Sequence, residues 1–178
     1  MSKKAFIAAE QSYYDKLGLK KNVEPWEDAL RTDGKEGSFE WWYFDAEYTN
    51  GTKVVAIFYS KKLFDIAGPA NPSISFEVTF PDGKQIQKLT SLGEGIVIDA
   101  SKEICDLKIG DSSVKYVDGK YELHYVDKED GVDYRCVMTP KCPMWRPGTG
   151  MHYMGEHQEH SYAWLVPMPT ADVEGELC

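Results

Sequence analysis

Short runs of aromatic and β-branched residues, separated by turn signals, dominate the sequence after the first 37 residues. The predicted hairpin pairs are 38–48 with 53–61, 73–80 with 84–90, and 104–109 with 114–117. Asn50-Gly51 lies between the first two runs, and Asn-Gly is the favoured two-residue hairpin turn because both residues tolerate positive φ. Closely spaced strands joined by such turns are typical of antiparallel sandwiches and barrels.

Alternation of apolar and polar residues supports this strand pattern. Within residues 120–126, Tyr121, Leu123 and Tyr125 alternate with more polar side chains, which is typical of a half-buried strand. With the last apolar run, 162–166, the chain has about eight strands, which is enough for a barrel that encloses one small ligand. The sequence therefore predicts an all-β fold, an antiparallel lipocalin-like or calycin-like barrel.

The first 37 residues differ from the rest of the chain. Residues 4–19 contain helix formers and favour one short helix that stops at Gly18. Residues 20–37 are polar and interrupted by Pro25, which favours an extended lead-in arm. The predicted organisation is a helix and arm over 1–37 and one barrel domain over 38–178.

Charge and hydropathy exclude several function classes. The 178 residues contain 20 Lys and Arg against 29 Asp and Glu, so the net charge is −9. Nucleic acids and anionic membranes both favour clustered Lys and Arg, which this sequence lacks. The longest apolar run, 54–59, is too short to span a bilayer, and the first ten residues lack the apolar region of a secretory signal. We expect a cytoplasmic protein that binds no nucleic acid, spans no membrane and keeps its four cysteines as free thiols.

An aromatic string, Ser-Phe-Glu-Trp-Trp-Tyr-Phe-Asp, occupies residues 38–45. On a strand, Phe39, Trp41 and Tyr43 face one way, and Glu40, Trp42 and Phe44 face the other. Both faces are costly to leave in water, so we expect a central strand that is covered on both sides. The pattern is consistent with an ordinary core strand and with one wall of a ligand pocket.

This string resembles the start of the first lipocalin-like domain in the carotenoid 1,2-hydratase (hydroxyneurosporene synthase) and AttH-like family. Weaker similarity to the family occurs in 105–111, 119–123, 162–167 and 173–177. The resemblance spans residues 36–177 and implies a lipocalin-like domain that binds an apolar isoprenoid or polyketide-like molecule. Family members have a second barrel with a His-Asp-His-x-x-Trp-Gly string that is absent here. The resemblance therefore implies a second lipocalin-like domain or subunit as a partner.

The resemblance also implies cofactor-free hydration, dehydration or cyclisation. Hydration of an alkene needs a protonated acid, and an apolar environment raises the pKa of a carboxyl group enough to supply one. Glu40 is the candidate catalytic acid, and Trp41, Trp42 and Tyr43 are candidate ligand-binding residues, because aromatic faces stabilise a carbocation. The alternative is a non-catalytic carrier in which Glu40 is a structural carboxylate.

A second cluster of polar residues contains His152, Glu156, His157, Glu159 and His160. Its spacing matches neither H-E-x-x-H nor H-x-x-E-H, so we predict no metal and place His157 and His160 at a pocket rim. The other candidate ligand-binding residues are Tyr59, Trp145, Met151 and Trp164. Each of these four is also consistent with an ordinary core position.

Overall fold

The computed structural model describes residues 5–32, 34 and 36–178, and it shows a mainly β protein with one short α-helix near the N-terminus. The described chain forms two compact units. The small unit contains residues 5–28 and 140–172, and the large unit contains residues 29–139 and 173–178. Residues 140–172 therefore group with the N-terminal segment rather than with the strands that precede them in the sequence.

The regular elements follow one another along the chain with short connections. The strands are β1 (Ala5–Ile7), β2 (Trp41–Glu47), β3 (Lys53–Tyr59), β4 (Ser73–Thr79), β5 (Gln85–Ser91), β6 (Asp99–Ala100), β7 (Asp106–Ile109), β8 (Ser112–Val117), β9 (Lys120–Asp127), β10 (Val132–Pro140), β11 (Met151–Met154), β12 (His160–Ala163) and β13 (Ala171–Leu177). The α-helix, α1, is Gln11–Leu17, and 3-10 turns span Pro25–Asp28 and Leu63–Asp65. In the described part of the chain, no helix is long and apolar enough to cross a membrane.

The large unit contains two antiparallel sheets. One is a four-stranded meander in the order β2-β3-β4-β5, and the other has the order β13-β10-β9-β8-β7-β6. The predicted hairpins are confirmed: Asn50-Gly51 joins β2 to β3, and Pro81-Asp82-Gly83 joins β4 to β5. Apart from β13, which pairs with β10, sequence neighbours thus pair within each sheet of the large unit, as short turns favour.

Aromatic side chains from the two sheets fill the interior of the large unit. Phe76 of β4 stacks on Tyr125 of β9 with ring centroids 4.0 Å apart, and it lies 5.5 Å from the ring of Tyr134 on β10. Phe44 of β2 lies 5.9 Å from Tyr121 of β9. All five rings are buried. Aromatic pairs at these separations add about 0.5–1.5 kcal/mol each beyond the burial of their area.

The predicted closed barrel is wrong. Among the described residues, the strands form three separate sheets, and none of them closes into a barrel. In the large unit, β5 and β6 are not paired, and residues 92–98 between them form no strand. Gly93 and Gly95 in this segment have φ values of 109° and 80°. Glycine adopts such values without the steric cost that other residues incur, so the chain can leave the sheet here.

The small unit is organised by a three-stranded antiparallel sheet in the order β1-β11-β12. Phe6 of β1 pairs with Tyr153 of β11, and both rings pack against Tyr13 of α1 with centroids within 6 Å. Gly18 ends α1 in the left-handed conformation with a φ of 67°, as predicted. The helix is shorter than predicted because residues 5–7 pair as a strand instead.

Candidate functional site

Strand β2 carries the aromatic string and separates its side chains onto two faces. Trp42 and Phe44 point into the large unit and are buried. Trp41 and Tyr43 alternate to the outer face, where they are 39% and 52% exposed. The predicted strand is confirmed, but β2 is an edge strand of its sheet and not a central one. The prediction that both of its faces are covered is also wrong for the outer face.

The outer face of β2 continues onto β3 as a set of neighbouring apolar side chains. The register pairs Trp41 with Tyr59 and Tyr43 with Ile57, and register partners project to the same side of a sheet. Phe39 packs against Trp41 with ring centroids 5.3 Å apart. We call Phe39, Trp41, Tyr43, Ile57 and Tyr59 the aromatic face. It brings together three of the predicted ligand-binding residues, namely Trp41, Tyr43 and Tyr59.

The turn between the strands sets this register. Gly51 has a φ of 85°, and the Thr52 N–H donates to the side-chain oxygen of Asn50 at 2.9 Å. A turn centred on residue 50 places residue 41 opposite residue 59. Sequence reasoning placed Phe39 on the same side as Trp41 and Tyr43 but did not count it as a ligand-binding candidate, and it missed Ile57, although the turn and the alternation of residues 53–59 contained that signal.

Polar side chains border the aromatic face on the next strand. Tyr59 pairs with Ser73 and Ile57 pairs with Ser75. Ser73 is fully buried, so Ser75 supplies the partly exposed hydroxyl group beside the aromatic rings. An open depression of about 360 Å³ adjoins Ser75 and is lined by residues of β4 and β5, including the exposed Leu89. The outer side of this sheet therefore combines an apolar strip with hydrogen-bonding groups.

The two tyrosines of the aromatic face keep their phenol groups neutral. Burial raises the pKa of Tyr43, and the nearby Asp45 carboxylate raises it further. Burial alone raises the pKa of Tyr59. Both hydroxyl groups can therefore donate a hydrogen bond to a bound molecule at neutral pH.

Glu40 lies immediately before β2, and its carboxylate has several hydrogen-bond donors. The Arg31 N–H donates to both carboxylate oxygens at 3.1 and 3.0 Å, and the Thr32 N–H donates to Oε2 at 2.9 Å. The Thr32 hydroxyl donates to the same oxygen at 3.1 Å. Burial raises the pKa of Glu40, and the hydrogen bonds from Thr32 and Arg31 oppose this rise. The carboxylate thus anchors residues 31–32, and its burial also favours the protonated form.

Trp42 does not join the aromatic face, because it lies on the opposite side of β2. A further open depression, of about 520 Å³, lies on the six-stranded sheet and is also separate from the face. Five of its eleven lining residues are charged and of both signs, among them Lys115, Glu122 and Arg135. Such alternating charges are typical of a solvated sheet surface rather than of an apolar ligand site.

The remaining candidates belong to the small unit and are Trp145, Met151, His157, His160 and Trp164. The backbones of Trp145 and Val166 are paired by two hydrogen bonds of 2.9 and 2.8 Å. His157 and His160 are exposed, and the His157 N–H donates to the Glu159 carboxylate at 2.8 Å. The predicted site therefore divides: Glu40 and the aromatic face lie in one unit, and these five residues lie in the other.

No group of three or more His, Cys, Asp or Glu side chains among the described residues is arranged to hold a metal ion. In the histidine-rich segment, His152 instead uses Nδ1–H to donate to the Gly150 carbonyl oxygen at 3.0 Å, and its ring stacks on Tyr162. A carbonyl oxygen only accepts, so this bond places the proton on Nδ1.

The fold and the exposed aromatic face define a mainly antiparallel β protein with a surface suited to apolar contact. Comparison with protein-family models, with curated proteins and with solved structures finds no match.

Proposed function

We propose that the chain binds an apolar small molecule of isoprenoid or polyketide-like type on the aromatic face and releases it unchanged. The observation that carries this proposal is the exposure of Trp41 and Tyr43 side by side on one strand. Membership of the carotenoid 1,2-hydratase and AttH-like family, a cytoplasmic location and a second lipocalin-like partner domain belong to the same proposal. The sequence motifs support the family membership and the partner domain.

The exposed area sets the scale of the affinity. An aromatic side chain has about 200 Å² to bury, so exposures of 39% and 52% leave about 80 and 100 Å² on Trp41 and Tyr43. Covering both corresponds to about 4–5 kcal/mol at 25 cal/mol per Å². The cost of association reduces this gain, so we expect a dissociation constant of about 1 mM or weaker from this contact.

Binding can be measured by native mass spectrometry and by titration with a C15 or C20 isoprenoid alcohol. Trp41→Ala and Tyr43→Ala should each weaken binding by about thirty- to seventyfold, because each removes roughly half of the contact area, or about 2–2.5 kcal/mol. Val137→Ala is the matched control, since Val137 is also an exposed apolar residue but lies on the six-stranded sheet. Equal binding by the wild type and both aromatic variants would contradict the proposal.

Catalytic hydration with Glu40 as the acid is the second candidate function. It is favoured by one observation, the raised pKa of Glu40 that burial causes. Incubation with polyenes and mass spectrometry would reveal a gain or loss of one water. If the chain is a hydratase, Glu40→Gln should abolish that product and leave the affinity of the aromatic face for the ligand unchanged. If it is a carrier, neither the wild type nor Glu40→Gln gives a product.

A further inference from the structure

The outer edge of the three-stranded sheet in the small unit is open and unprotected. β12 is the last strand of this sheet, and all four of its residues are exposed. Natural edge strands are usually blocked by charged residues, proline or bulges. In the large unit, the edge strand β2 carries Asp45 and Glu47, and the edge strand β13 carries Glu174 and Glu176. β12 reads His-Ser-Tyr-Ala and has no Lys, Arg, Asp, Glu or Pro.

Backbone N–H and C=O groups of β12 point to this outer edge, where they can hydrogen-bond to another strand. The Trp164 N–H donates to the Gly150 carbonyl oxygen at 2.9 Å, on the side of β11. Backbone groups alternate in direction along a strand, so the groups of residues 160 and 162 also point toward β11. Ser161 and Ala163 therefore direct two N–H and two C=O groups to the outer edge.

A row of side chains across the sheet also ends at this edge. Ile7, His152 and Tyr162 occupy successive register positions. The rings of His152 and Tyr162 stack with centroids 4.4 Å apart and an angle of 6° between their planes. This spacing is close to the distance of about 4.8 Å between neighbouring strands. An aromatic ring on an added strand would continue the stack beyond Tyr162.

We infer that β12 pairs antiparallel with β12 of a second copy of this chain, about a two-fold axis at Tyr162. Ser161 of each copy then faces Ala163 of the other, which forms four backbone hydrogen bonds. The two Tyr162 residues form a non-hydrogen-bonded pair, in which side chains approach most closely.

The flanking residues are complementary in the same register. His160 of each copy faces Trp164 of the other, and Glu159 faces Leu165, so no like charges are opposed. A two-fold interface requires one surface that complements itself, and this edge meets that requirement.

The size of the contact predicts a weak dimer. Two four-residue strands bury much less than the roughly 1,200 Å² of a stable interface. We expect a reversible dimer with a dissociation constant of about 10 μM to 1 mM. This inference uses the small unit alone and does not depend on the proposed ligand.

Sedimentation velocity of the whole 178-residue chain over a concentration series tests the inference. The sedimentation coefficient should rise with concentration, and the amides of Ser161 and Ala163 should exchange with deuterium more slowly at high concentration. Ser161→Pro removes an outward N–H, and Ala163→Lys places a charge at the contact, so both should shift the dissociation constant at least tenfold. Ala5→Lys, on β1 at the other edge of the same sheet, is the matched control and should behave as wild type.

Two results would overturn the inference. One is a chain that stays monomeric up to about 1 mM. The other is a dimer that Ala163→Lys and Ser161→Pro leave intact. Tyr162→Phe, which keeps the ring, should still dimerise and shows that the small unit tolerates substitution on this strand.

Discussion

Replacing Arg146 with methionine should destabilise the small unit by about 4 kcal/mol. The side chains of Arg146 and Glu27 are 3% and 5% exposed, and Nε lies 2.7 Å from the Glu27 carboxylate. Arg146 also donates to the carbonyl oxygens of Gly148 and Lys20 at 2.5 and 2.6 Å. Removal of one partner from a buried ion pair typically costs about 3–5 kcal/mol, because the other charge stays buried without compensation.

Hydrogen–deuterium exchange read by mass spectrometry localises this loss. A loss of about 4 kcal/mol corresponds to roughly thousandfold faster exchange through opening of the small unit, since each 1.4 kcal/mol is a factor of ten. Peptides from residues 5–28 and 140–172 should show this acceleration. Peptides from β2 to β5 in the large unit serve as an internal reference.

The double variant Glu27→Met, Arg146→Met separates the charge effect from general loss of packing. Well-packed apolar residues often replace a buried ion pair without loss, so the double variant should recover most of the stability. A single-variant loss below about 1 kcal/mol would refute the reasoning. A double variant as unstable as the single variant would also refute it.

Two further predictions concern the large unit. Gly175→Ala should lower the free energy of unfolding by about 1–3 kcal/mol, because the added Cβ would lie 2.5 Å from the Tyr48 hydroxyl oxygen and 2.6 Å from the Arg135 carbonyl oxygen. Urea unfolding measures this loss, and an unchanged unfolding midpoint would contradict the prediction. Burial raises the pKa of Glu40 above 4.5, so the folded protein binds the Glu40 proton more tightly than the unfolded chain does. The protonated Glu40 side chain therefore contributes its full stabilisation below pH 4.5, and this stabilisation is lost as the pH rises through the folded-state pKa. Urea unfolding from about pH 4 to about pH 7 should therefore show a decline in wild type that is reduced in Glu40→Gln, and parallel pH profiles would count against it.

The features predicted correctly from the sequence are those that local chemistry determines. The turns at Asn50-Gly51 and Pro81-Asp82-Gly83 and the helix stop at Gly18 each depend on residues that are adjacent in the chain. The strands β1 and β11 were not predicted, because they exist through pairing between residues about 150 positions apart. Barrel closure was predicted wrongly for a similar reason, since strand count alone does not reveal whether distant edges pair.

The candidate site shows the same division. Alternation correctly placed Trp41 and Tyr43 together on one face of β2, and the turn could have predicted Tyr59 beside them. The sequence could not show that this face is the outer one, because Trp42 and Phe44 on the opposite face are equally aromatic. Which face becomes the interior depends on the rings that the second sheet supplies, such as Tyr121.

Stacking inside the large unit bears on where an apolar molecule can bind. Phe76 and Tyr125 are in contact at 4.0 Å, so a ligand between the two sheets would have to separate rings that stabilise each other. A ligand on the outer face displaces only water from Trp41 and Tyr43, and that displacement is favourable. Binding on the outer face is therefore favoured over binding between the two sheets. Trp42 belongs to the same aromatic string, but it is buried and is part of the core.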